Sequence, residues 1–239
     1  CTKHHLKSLP SDPKIVSIYL THLSKNYKFS TLKRRLASIN MMHRYKGHYL
    51  DTKHPIIVEN LIGIKRQIGV HQKAKKPLLF NDIKEIIKQI DQSSGNSSKK
   101  QRDKALILVG FAGGFRRSEL VSITKEDVEF VKEGVKIFVK KSKSDQSGEG
   151  MTKAIPSFKY NDYCPVENLR LWMFENRNDR IFAISDKNVA LIIKKYALQA
   201  GFDDKKYAAH SLRSGFATTT AESGASERNI MAMTGHKSV

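Results

Sequence analysis

The sequence predicts a mainly α fold with one small antiparallel sheet, an α+β arrangement, divided into a helical first part and a mixed second part. Three observations carry this. Apolar residues recur at helical spacing through most of the chain, with period-two alternation confined to one stretch after residue 127. The charge is uneven: residues 1–76 hold 16 Lys and Arg against Asp12, Asp51 and Glu59, a net +13, whereas residues 77–239 hold 27 against 20. The segment Gly69–Pro77 between them lacks apolar periodicity, carries three lysines and ends in proline, which reads as a linker. The expected division is residues 1–72 and 73–239.

In the first part, Ser11 or Asp12 can cap a helix with Pro13 in its first turn, placing Ile15, Ile18, Tyr19 and Leu23 on one face. A second helix is expected from Ser30, with Leu32, Leu36 and Ile39 in line and Gly47 at its end. Its other face carries Lys33, Arg34, Arg35 and Arg44. A third follows Pro55, with Val58, Leu61, Ile62 and Ile68 as its apolar stripe. Cations gathered on helices with few carboxylates suit a phosphate backbone, and Lys73, Lys75 and Lys76 of the linker extend the basic surface.

The second part opens with a helix from Asn81 or Asp82, with Ile83, Ile86, Ile87 and Ile90 in register. Ser93–Ser98 is a loop. Gln101–Phe111 is an almost wholly apolar helix, hence buried, and Gly113-Gly114 ends it. Val128–Val131, a Glu133-Gly134 turn and Val135–Lys141 form a hairpin, to which Met151–Ile155 can add a third strand. Four helices follow, around Val166–Glu175, Asn188–Ala200, Ser211–Ser223 and Ser226–Thr234.

Composition narrows the function. The chain has 239 residues, a formal net charge of +20 and two widely separated cysteines, Cys1 and Cys164. A field of that strength points to a polyanionic partner, most simply nucleic acid. No apolar run approaches a membrane span and no signal peptide precedes the first helix. The cysteine usage fits a reducing compartment such as the cytoplasm. Scattered acids (Asp103, Glu126, Asp127, Asp145) form no convincing metal-ligand spacing, so neither a metal nor a cofactor is expected.

Four short stretches could carry chemistry. Gly113-Gly114-Phe115-Arg116-Arg117-Ser118-Glu119-Leu120 puts two adjacent arginines at the end of a buried helix, with Glu119 positioned to orient one of them. Lys140-Lys141-Ser142-Lys143 leaves the hairpin; lysines at a strand end also serve as edge protection. His210-Ser211-Leu212-Arg213 sets a histidine and an arginine on one helix face. Gly235-His236 closes the series. Singly, each reads equally well as ordinary surface or core.

Together, in this order and at these intervals, the four stretches resemble the tyrosine recombinase family, the phage integrases and their relatives. The resemblance covers the whole chain. It implies a helical, basic DNA-clamping domain followed by a mixed catalytic domain that cuts and rejoins double-stranded DNA through a 3′-phosphotyrosine. GGFRRSEL resembles the first-arginine motif, which implies Arg116 as catalytic and Glu119 as its acidic companion. Lys143 best matches the hairpin lysine, with Lys140 and Lys141 as alternatives. HSLRSGFAT implies His210 and Arg213, and MTGH implies His236.

The resemblance further implies a monomer in isolation, a homotetramer on two DNA sites, and a bacterial or phage-like cytoplasmic protein working at the nucleoid. In this family the nucleophilic tyrosine follows the equivalent of His236 by two to three helical turns. All eight tyrosines here precede that point, and the chain starts at Cys1 rather than Met. The expectation is a tyrosine-bearing segment past Val239; the alternatives are an inactive DNA-binding relative and a metal-dependent nuclease.

Overall fold

The computed structural model describes residues 6–70, 75–141, 148–159 and 161–235. The chain divides into two compact units, Cys1–Lys73 and Ala74–Val239.

Among the described residues the first unit has three helices: α1 (Pro13–Ser24), α2 (Phe29–Tyr45) and α3 (Pro55–Ile68). The Asp12 carboxylate accepts from the Lys14 N–H at 2.7 Å and starts α1. Gly47, in the left-handed region at φ 75°, follows the end of α2. Val16, Leu20, Leu32, Leu36, Leu50, Ile57 and Ile64 form the core.

Two predicted stripes are corrected by this packing. In α1 the buried face is Val16 and Leu20 with Tyr19 and Leu23 beside them, and Ile18 is exposed. In α3 it is Ile57, Leu61 and Ile64, whereas Val58, Ile62 and Ile68 face outward. Both helices carry more apolar residues than one face can hold. Polar bonds fix which set turns inward: Asn60 Nδ2 donates to Ser17 O at 2.9 Å and Thr21 Oγ1 to Asn60 Oδ1 at 3.0 Å. That seam locks α1 and α3 in one rotation. His43 is buried too. Its Nε2 accepts the Ser11 N–H at 2.8 Å, so its Nδ1 carries the proton donated to Ile39 O, also at 2.8 Å.

The second unit contains α4 (Phe80–Gln92), α5 (Ser97–Ala112), α6 (Arg117–Ser122), β1 (Val128–Val131), β2 (Gly134–Val139), β3 (Met151–Pro156), α7 (Pro165–Glu175), α8 (Asp186–Gln199), α9 (His210–Glu222) and α10 (Glu227–Thr234). The strands form an antiparallel meander in the order β1-β2-β3. Val128 pairs with Ile137, and Ile137 with Lys153. Helix α5 is the centre: from Ala105 to Ala112 every residue is buried, and α4, α7 and α9 pack around it. The four isoleucines of α4 all face that core, as their spacing predicts.

The linker reading needs one correction. Its last residues already belong to the second unit: the Lys76 N–H donates to Lys206 O at 2.8 Å, the Lys75 ammonium donates to Lys205 O, and Leu78 is fully buried. Leu78 in turn meets α9 so closely that a Cβ on Gly215 would lie 1.8 Å from the Leu78 carbonyl oxygen. Only glycine fits there.

Candidate active site

The site begins where α5 stops. Gly113 closes the helix and Gly114 turns the chain at φ 55°, in the left-handed region. Phe115 then returns to the core, and Arg116 becomes the residue preceding α6. Glu119, three residues on, uses both carboxylate oxygens on it: Oε2 accepts the Arg116 backbone N–H at 2.9 Å and Oε1 accepts Nη1 at 2.6 Å. The carboxylate is 1% exposed and the arginine side chain 20%. The guanidinium is therefore anchored on a buried carboxylate while its side chain stays one-fifth exposed. Arg117 takes a different course and pairs across the surface with Asp186 at 3.1 Å, both half-exposed. Of two adjacent arginines, the geometry sends one to the interior and one outward.

Helix α9 brings the next pair. His210 is its first residue and Arg213 lies three residues further on. Arg213 is only 2% exposed. Its Nη1 donates to Gly114 O at 2.8 Å, and its Nη2 donates to Thr234 O at the end of α10. Burial pushes this guanidinium down to about 10; Arg116 pushes the same way and Glu119 opposes. It stays charged at neutral pH. His210 sits at the rim. Partial desolvation, then Arg213 and Arg116, hold its imidazole below the ordinary histidine range, so it is mainly neutral at pH 7.

The sequence reading missed one member of this group. Lys153, in the middle of β3, has 0% exposure. Its ammonium donates to Gly113 O at 2.9 Å and to Met233 O, and lies 4.8 Å from the centroid of the Phe115 ring. Burial pushes it down to about 8, Glu119 opposes, and Arg213 and Arg116 add to the fall. The available signal was strand alternation: Lys153 falls on the same phase as the inward-facing Ile155. A lysine on the inward phase of a strand requires partners.

Arg116 pairs with Glu119, and this same guanidinium and carboxylate act on the titration of both Arg213 and Lys153. Among the described residues, Glu119 is the one carboxylate that acts on these cations. A site of this kind is prepared for an anion with several acceptor oxygens.

The remaining residues singled out by sequence are placed as follows. Lys73, Lys143 and His236 lie outside the described residues. Lys140 is held by Glu126 and by Asp127 at 3.1 Å, and these carboxylates keep its ammonium above the usual lysine range. Lys141 is exposed. Asp103 is engaged by Arg102 and by the Tyr196 hydroxyl at 3.2 Å. Among the described residues no three His, Cys, Asp or Glu side chains converge, and no helix is long and apolar enough to cross a membrane. Tyr196 and Tyr207 are buried, and burial raises both phenols, Tyr196 to about 12.

In the first unit, Lys33, Arg34 and Arg44 are exposed on α2. Arg35 is half-buried, bonded to the Tyr19 hydroxyl at 3.1 Å and stacked 4.8 Å over Tyr27. Lys33 also lines a groove of about 680 Å³ with Lys25, Lys28 and Lys65, three lysines the sequence reading did not select.

Comparison with known proteins bears on what this arrangement is for. A model described as the phage integrase family matches residues 76–239. An integrase/recombinase xerD homolog of Selenomonas ruminantium is 36% identical over 255 residues, covering 100% of this chain and 74% of the relative. Tyrosine recombinase XerC of Staphylococcus aureus (strain bovine RF122 / ET3-1) is 27% identical over 225 residues, covering 91% of this chain and 70% of the relative. Two solved structures share the fold. The XerH site-specific recombinase in a post-cleavage complex with its difH substrate gives a TM-score of 0.66 at 17% identity, over 95% of this chain and 66% of that one. Lambda integrase bound to DNA gives 0.63 at 17% identity, over 99% of this chain and 80% of that one.

Proposed function

The chain belongs to the phage integrase family of tyrosine recombinases, and from that premise we propose that Arg116, Arg213 and His210, with Lys143 and His236, form the centre at which it breaks and rejoins double-stranded DNA. The observation that carries this reading is the convergence of two guanidiniums on the Gly113-Gly114 turn: Arg116, which follows it, is held by Glu119, and Arg213 donates to Gly114 O. In the reaction a tyrosine oxygen attacks phosphorus and the bond to the 5′ oxygen breaks. The products are a 3′-phosphotyrosine and a 5′ hydroxyl that takes up a proton. The phosphoester count is unchanged, so the reverse attack by a 5′ hydroxyl reseals the strand without an energy source.

The transition state concentrates negative charge on the non-bridging oxygens. Fixed donors aimed at those oxygens stabilise it with no reorganisation at the moment of reaction. Arg116, the more exposed of the two arginines, binds the phosphate directly. Arg213, behind it, supplies charge and carries two of the backbone carbonyls that frame the site. His210, neutral at the rim, accepts or relays the proton of the attacking hydroxyl. Lys143, between β2 and β3 in the sequence, protonates the leaving 5′ oxygen. Lys140 suits that task less well because two carboxylates already hold its proton. His236 donates to the same phosphate. The attacking tyrosine belongs to the segment that this family carries after the equivalent of His236.

Lys33, Arg34 and Arg44 on α2, with Lys73, Lys75 and Lys76, contact the DNA backbone; Arg35 supports that surface through its bonds to Tyr19 and Tyr27. The working assembly is a homotetramer on two DNA sites, formed from monomers, at the DNA of a bacterium or its phage.

Cleavage of a suicide duplex tests the assignment, using target DNA selected by binding and a chain extended past Val239 by the tyrosine-bearing segment. Arg116→Ala and Arg213→Ala should each lower the rate by at least about 10²-fold, as loss of one oxyanion donor does. Near-normal rates in both would reject it.

A further inference from the structure

Lys153 adds a cation beside this site but takes no step in the reaction above, and its environment is among the most demanding in the molecule. An ammonium with no solvent exposure loses its hydration, and burial without partners would cost many kcal/mol. Its partners are not spread at random. Gly113 O immediately precedes the turn that delivers Arg116, and Met233 O lies at the end of α10, two residues before Gly235. Arg213 takes the neighbouring pair, Gly114 O and Thr234 O. Two cations from different elements, β3 and α9, therefore bridge the same two backbone segments through consecutive carbonyls.

From this pairing we propose that Lys153 is a positioning residue for DNA cleavage: it fastens the Arg116 turn to the end of α10, so that the first-arginine motif and residues 233–235 stand on one frame with Arg213. The inference rests on the catalytic reading given above. The physical need is specific. Gly113 and Gly114 form a turn of two small residues with little side-chain packing of their own, and α10 is only eight residues long. Neither would hold its carbonyls to a fraction of an ångström alone, and a misplacement of about 1 Å can cost 10²-fold in rate. Lys153 also ties β3, and with it β2, to the same frame. Phe115, packed against the ammonium, keeps water from replacing either carbonyl.

The test compares Lys153→Met, close in length and uncharged, with Lys153→Arg. Two quantities are read: single-turnover cleavage of the target duplex by the extended chain, and amide hydrogen exchange of residues 1–239 resolved over 113–116 and 231–235. For Lys153→Met the cleavage rate at saturating protein should fall about 10–100-fold with half-saturation unchanged. Exchange should rise in those two segments while α4 and α8 keep their protection. Lys153→Arg, which retains charge and donors, should recover most of the rate. Wild-type cleavage by Lys153→Met would overturn the inference. So would loss of protection throughout the second unit in both variants, which would make Lys153 a residue of the core. If Arg116→Ala also cleaves normally, the catalytic reading itself has failed, and that outcome is distinct from failure of the Lys153 role alone.

Discussion

The two units of the chain use positive charge in opposite ways. The first, residues 1–73, holds 14 Lys and Arg against three acids, a net +11, most of it on exposed side chains such as Lys33, Arg34 and Arg44. Water screens each of these, and their effect on a polyanion is the sum of many weak terms. The second unit is far less basic for its size, yet it places Arg116, Arg213 and Lys153 about one buried carboxylate. There, low dielectric makes each charge count, and every cation has backbone or carboxylate partners that fix it. The number of charges sets affinity for DNA; their desolvation and fixation set what can be done to one phosphate.

The sharpest way to break this contrast is at a glycine. Gly215→Ala would set a methyl group against the Leu78 carbonyl at 1.8 Å and push α9, with His210 and Arg213, away from the core. The expected loss is about 3 kcal/mol or more of stability, seen as a lower thermal midpoint. In the first unit, Gly63 lies within α3 with nothing within 4 Å of an added Cβ. Gly63→Ala should stabilise by about 0.5–1 kcal/mol in the same measurement. Equal effects at both positions would erase the difference between a fixed and a tolerant unit.

A second prediction concerns alkaline pH. Lys153 titrates at about 8 in the folded chain, below its ordinary 10.5. Between those values the unfolded chain holds a proton that the folded one has released, so this group makes stability rise with pH through that window. The burial penalty is fully present below pH 8 and gone above 10.5, a span of at most about 3 kcal/mol. Denaturant unfolding of wild type and Lys153→Met at pH 7 and pH 10 isolates the effect. A stability difference between the two proteins that stays constant across this range would contradict the burial argument.

The smallest expected effects belong to single surface cations. DNA affinity of the wild type should fall about 10³–10⁵-fold between 50 and 200 mM salt if six to ten phosphates are contacted. Lys33→Ala or Arg34→Ala should each reduce the salt slope by about 1 and leave the cleavage rate at saturation unchanged. A flat salt response would remove the electrostatic account of the first unit.

Much of this architecture is legible along the chain. The isoleucines of α4, the apolar run of α5 with its two terminal glycines, and the alternating strands announce themselves through spacing that a local backbone geometry imposes. The first unit was less legible. In α1 and α3 apolar residues occupy more than one face, so spacing alone could not say that Ile57 rather than Val58 turns inward; the Asn60 bonds to α1 decided it. At the site, the sequence singled out Arg116, Glu119, His210 and Arg213, but it could not choose physically between Arg116 and Arg117.

What the sequence by itself determined is the set of helices and strands, the basic character of residues 1–76 and the order of the motifs, because each depends on residues a few positions apart. What only the tertiary structure decided is which cation goes inward. Arg117 and Lys140 stay half-exposed, paired with Asp186 and Glu126, whereas Lys153 reaches a carbonyl 80 residues away and Arg213 one 99 residues away. Burial of a charge is favourable only where partners from distant segments arrive together, and that convergence is a property of the packed chain rather than of any stretch within it.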